Sequence, residues 1–94
     1  MTFMQLVYQP QGHVEIEEKT NQYDFAFYLK IEDESLRKAY FQVREFFEND
    51  HLYTDVLFYT HQDHRYEAIV RKDYYIDFLL ALFKYKLLIN MTWE

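Results

Sequence analysis

Tyr23-Asp24-Phe25-Ala26-Phe27-Tyr28-Leu29-Lys30-Ile31, followed by Glu32-Asp33-Glu34-Ser35-Leu36, holds the decisive change of pattern in this chain. The first nine residues alternate with period two. Tyr23, Phe25, Phe27, Leu29 and Ile31 fall on one side, and Asp24, Ala26, Tyr28 and Lys30 on the other, which predicts a strand buried on its odd face. The period then lengthens: Leu36, Ala39, Tyr40, Val43, Phe46 and Phe47 recur at the spacing of one helical face. Asp33 supplies a side-chain oxygen for the first free N–H groups of that helix, and the acids around it suit the positive end of the helix dipole. Phe41 falls on the opposite face, among Arg37, Arg44, Glu45 and Glu48, and Asn49-Asp50 ends the segment.

Working outward, residues 2–8 read as a strand because they are rich in β-favouring side chains. Gln9-Pro10-Gln11-Gly12 contains the only proline and the only glycine, so it predicts a turn, read as the loop of a hairpin with the alternating His13-Val14-Glu15-Ile16-Glu17. Downstream, residues 52–60 alternate again, with Leu52, Thr54, Val56 and Phe58 on one side and Tyr53, Asp55, Leu57 and Tyr59 on the other. His61-Gln62-Asp63-His64 is a polar turn, and Arg65 to Arg71 returns as the paired strand. Asp73 is then expected to cap a second helix running to about Leu88, with Asp73, Asp77 and Lys84 on one narrow strip and apolar side chains over most of the rest. The order βββ-α-ββ-α predicts an α+β domain spanning residues 1–94, an antiparallel sheet of about five strands with two helices on one face. An alternative ends the second helix near Lys84 and makes Leu88 to Trp93 a further strand, a ferredoxin-like βαββαβ with an N-terminal hairpin. The lack of Gly or Pro between Lys86 and Met91 favours the continuing helix.

Composition narrows the function classes. With 94 residues, 50% of them apolar and 21% aromatic, the chain has the means to build one small core and is not a disordered tail. It has no cysteine, which removes disulfides, thiolate metal sites and cysteine nucleophiles together. Sixteen acidic against ten basic residues give a net charge of −6, the wrong sign for general nucleic-acid binding through phosphate neutralisation. The N-terminus lacks a basic, apolar, cleavable leader, and Asp77, Lys84 and Lys86 interrupt the most apolar stretch. A cytoplasmic protein without a membrane span is therefore expected. Ser35 is the only serine and lies in a helix first turn, while one glycine is too few for a phosphate-cradling loop, so no catalytic residue and no cofactor are expected.

His61, Asp63 and His64 have donor types that suit zinc or nickel, but two imidazoles on a turn fall short of the three or four convergent ligands a site needs. They read as a hairpin tip. The aromatic surplus points elsewhere. Tyr28, Tyr53 and Tyr59, with Leu57, fall on the sheet face turned from the helices, and Phe41 lies amid charges on its helix. A tyrosine at a surface joins a large apolar body to a hydroxyl, the combination that interfaces concentrate. These five residues are the expected contact set for a protein partner. The second helix is apolar over so much of its circumference that Tyr75, Leu79, Leu82 and Phe83 are expected to form a self-association strip in a homodimer.

The reading is thus a small acidic interaction or regulatory module. Its element order, acidity and expected dimer are similar to the small secretion chaperones, acidic homodimers that bind a partner segment, although the initial helix of that class has no counterpart here. Two other functions remain in play. An acidic decoy of a nucleic-acid-binding enzyme would need its acids aligned in a stripe, and a metal-dependent or small-ligand enzyme would have to use the histidine turn.

Overall fold

In the computed structural model, residues 5–49 and 55–94 are described. The strands are β1 (Leu6–Pro10), β2 (Val14–Thr20), β3 (Asp24–Ile31), β4 (Val56–Thr60), β5 (Arg65–Arg71) and β6 (Leu88–Trp93), and the helices are α1 (Glu34–Glu48) and α2 (Tyr75–Lys84). The predicted order βββ-α-ββ-α stands, with β6 added after α2. An antiparallel four-stranded sheet runs β2-β3-β5-β4, and β1 pairs with β6 in a separate two-stranded sheet.

From Asp24 to Ile31 the decisive stretch folds as its periodicity dictates, whereas Tyr23, expected on the buried side, lies outside the strand and is 70% exposed. Phe27, Leu29 and Ile31 are fully or almost fully buried, and they meet Ala68 and Val70 of β5 and Val56 of β4 on the inner face. Tyr40, Val43 and Phe47 of α1 and Phe78, Leu79 and Leu82 of α2 cover that face. Asp33 caps α1, its Oδ2 accepting the Leu36 N–H at 3.0 Å. The Arg37 guanidinium donates to the carbonyls of Ile31 and Glu32 at 3.2 and 2.8 Å, fastening the first turn of the helix to the end of the strand it leaves.

The connections differ from expectation in informative ways. The Pro10–Gly12 turn does not close a β1–β2 hairpin; it directs β1 away to β6. The crossover β3-α1-β4, with β5 lying between β3 and β4, is the split arrangement of a ferredoxin-like fold. In that fold the last strand would flank β3, but here β2 holds the place and β6 is left to pair with β1. Asp73 does not cap α2 either. It lies in a 3-10 turn, Lys72–Tyr74, and α2 begins at Tyr75 without a side-chain cap.

The second helix ends at Lys84, short of Leu88. Lys86 takes a left-handed conformation with φ of 67°, its N–H donates to the Phe83 carbonyl at 3.0 Å, and the Leu87 N–H donates to the Leu82 carbonyl at 2.9 Å. This is the Schellman arrangement, in which a glycine is usual at the left-handed position, and the buried Leu87 supplies its hydrophobic contact. The shorter helix turns differently from the strip inferred for self-association. Leu79 and Leu82 are both 0% exposed and belong to the core, Tyr75 is half-buried against Phe25 and Phe27, and only Phe83 of that set is exposed. Phe46, placed by spacing on the core face of α1, is likewise exposed.

Two outcomes follow for substitutions. Leu82→Glu places a carboxylate without a partner in the core, at a cost of several kcal/mol, comparable with the whole stability of so small a domain. Circular dichroism is expected to show an unfolded chain, and a folded monomer would contradict the placement of Leu82. Lys86→Gly relieves a left-handed conformation that costs an L-residue about 1 kcal/mol, so the urea midpoint is expected to rise.

Candidate functional site

The face of the four-stranded sheet turned from the helices carries the residues that sequence parity singled out. Register sets them in rows. Glu15, Lys30 and Arg65 lie side by side across β2, β3 and β5, and the His61 N–H donates to the Arg65 carbonyl at 2.8 Å to extend the row. The next row reads Glu17, Tyr28, Glu67, Tyr59, and the one after it Lys19, Ala26, Ile69, Leu57. Directly opposed residues on antiparallel strands have Cβ atoms about 5 Å apart, so each is in contact range of its neighbour in the row.

Tyr28, Leu57 and Tyr59 are 42, 49 and 47% exposed, large apolar bodies standing on an open face. Ala26 differs from its row: although its parity turns it outward, it is buried. Around Tyr28 the sheet forms an open depression of about 940 Å³, lined among others by Glu15, Glu17, Lys30, Arg65 and Glu67. Lys30 is held by Glu32 at 3.2 Å, Arg71 by Asp55 at 3.5 Å, and His61 Nε2 meets Glu67 Oε1 at 2.9 Å. One of the expected contact residues is not part of this face. Phe41 is exposed in the helical layer, where its ring stands edge-on to the buried Tyr66 at 5.7 Å. Tyr53 lies outside the described residues.

The histidine turn has a backbone explanation. Asp63 and His64 both have φ of 60°, and the Arg65 N–H donates to the Gln62 carbonyl at 3.3 Å, a type I′ turn that joins β4 to β5. Asp and His are among the few L-residues that enter this conformation readily. Among the described residues, no group of three or more His, Asp or Glu is placed to hold a metal ion, so His61, Asp63 and His64 do not assemble a site.

The tyrosines with displaced ionisation lie elsewhere in the fold. Burial pushes the hydroxyls of Tyr8, Tyr40 and Tyr75 well above the ordinary tyrosine range. For Tyr8 and Tyr75 a further cause is Glu18, whose Oε1 accepts both hydroxyls, at 2.9 and 2.8 Å. One carboxylate thereby ties β2 to β1 and to α2. Sequence reasoning passed over Glu18, although its parity with Val14 and Ile16 places it on the inner side of β2. The Tyr40 hydroxyl is buried and has no hydrogen-bond partner among the described residues.

No protein-family model, curated protein or solved structure matches the chain.

Raised tyrosine pKa values set the sign of an alkaline effect. Above about pH 10 the unfolded chain loses phenolic protons that the folded chain keeps, so stability present at neutral pH falls as pH rises through that range. Urea midpoints are expected to drop between pH 8 and pH 11, and tyrosinate absorbance to show a late-titrating class that merges with the rest once urea unfolds the chain.

Proposed function

We propose that this chain is a non-catalytic protein-interaction module that receives a basic polypeptide segment on the outer face of its four-stranded sheet. The observation that carries the reading is the row Glu17–Tyr28–Glu67–Tyr59, in which carboxylates and phenol rings alternate across four strands on an open surface. A guanidinium or ammonium set over Tyr28 meets a ring face below and a carboxylate on either side, so cation–π attraction and charge act on the same group. Leu57 and Tyr59 extend the contact toward the edge strand and offer apolar cover to the stem of the incoming side chain. The net charge of −6 favours approach by such a partner from a distance.

The layout is less suited to the two other functions weighed. A decoy for a nucleic-acid-binding enzyme presents acids in a stripe, whereas the acids of this face alternate with tyrosines and stand beside Lys30 and Arg65. A metal-dependent enzyme would need the ligand convergence that the histidine turn does not supply.

The test is an amide-shift titration of the labelled protein with an arginine-rich peptide, with an acidic peptide of equal length as the control. Shifts are expected to centre on Tyr28, Tyr59 and Glu67 with the basic peptide alone. Tyr28→Ala should weaken binding roughly fivefold, the worth of one exposed cation–π contact. Equal affinity in that variant, or shifts centred on the acids of α1, would defeat the reading.

A further inference from the structure

On the opposite layer, α2 keeps a second apolar stripe out of its own core. Ile76, Leu80 and Phe83 are 44, 50 and 45% exposed, and at 100° per residue they fall within about 60° of one another around the helix. Phe46 of α1, 48% exposed, lies beside them across a groove of about 200 Å³ between the two helices. Asp77 and Lys84 line that groove, seven residues apart and on the same flank of the stripe. The Lys84 ammonium stands over the rings of Phe46 and Tyr85 at 5.7 and 5.5 Å, and neither Lys84 nor Asp77 is ion-paired among the described residues.

We infer that the occupant of this face is a second copy of the chain, with the two α2 helices packed antiparallel about a two-fold axis between Leu80 and Ala81. The charges decide the occupant. In such a pairing, residues whose numbers sum to 161 come level, and a two-fold axis normal to the helix pair keeps the same flank of both helices on the same side. Asp77 of each copy therefore meets Lys84 of the other, giving two ion pairs from one pair of side chains, as an isologous interface requires. Leu80 meets Leu80 across the seam, and Ile76 lies within a turn of Phe83 of the second copy. The repeat of opposite charges at seven residues, centred on the apolar stripe, makes the surface complementary to itself even though two chains of net charge −6 repel at long range. This inference does not depend on the basic-segment reading, because the two faces lie on opposite layers.

The experiment is sedimentation equilibrium of the full chain over a wide concentration range, with circular dichroism of every variant. The unaltered chain is expected to dimerise, and Leu80→Glu to remain folded while its dimer dissociation constant rises at least tenfold. Charge reversal tests the geometry more sharply. Asp77→Lys alone sets two lysines together at both contacts, and Lys84→Asp alone sets two aspartates together, so each variant by itself should dimerise more weakly. An equimolar mixture of the two restores an opposite pair at both contacts and should form a heterodimer tighter than either homodimer. A monomeric unaltered chain, an undiminished Leu80→Glu dimer, or a mixture no tighter than its components would each overturn the proposal. Loss of the peptide site in the preceding section would leave it intact.

Discussion

The ring of Phe78 is the point to which both layers refer. It lies 4.8 Å from Phe27 of β3, 6.1 Å from Phe47 of α1 and 6.3 Å from Phe58 of β4, tilted against all three. One side chain of α2 thus fixes the distance of both helices from the sheet. Since Phe78, Leu79 and Leu82 must all face inward around that ring, Ile76, Leu80 and Phe83 are forced outward. The exposed stripe is the geometric remainder of a ten-residue helix that carries more apolar side chains than one core can take.

The same constraint governs the outer sheet face. With Phe27 and Leu29 committed to the core, pleating sends Tyr28 and Lys30 to the other side. Antiparallel register then delivers Glu17 and Glu67 to the flanks of Tyr28. No residue of that row is positioned by a loop. Its spacing is that of the sheet itself, which gives a rigid platform and leaves little freedom to adapt to a ligand of another shape.

How much of this the sequence could show depended on how local the determining interaction was. The period change at Glu32 to Leu36 and the Asp33 cap are short-range, and both are visible in the sequence and present in the fold. Parity alone brought Tyr28, Leu57 and Tyr59 to one face. The end of α2 at Lys84 and the strand Leu88–Trp93 were legible only as the alternative to a continuing helix, because Lys86 occupies a position where glycine would have signalled the stop. The β1–β6 pairing was hidden because nothing near Leu6 or Trp93 points to a partner more than 80 residues away. Leu79 and Leu82 were misplaced because a helix apolar over most of its circumference does not itself show which apolar arc meets the core; packing around Phe78 sets it.

The pairing of β1 with β6 bears on the order in which the molecule assembles. Gln5 and Glu94 exchange two backbone hydrogen bonds, so the first described residue of the chain is zipped to its last. Every pairing within the four-stranded sheet spans a shorter loop, that of β3 with β5 about half as long and the others shorter still, and its closure costs less entropy. During synthesis β1 emerges first but must wait until β6 has left the ribosome. Until then the underside of the arm, with Leu6, Tyr8 and Met91, has no layer to close, and Glu18 has only Tyr75 to hold. The arm is a late clasp on a sheet and helix layer that can already have formed.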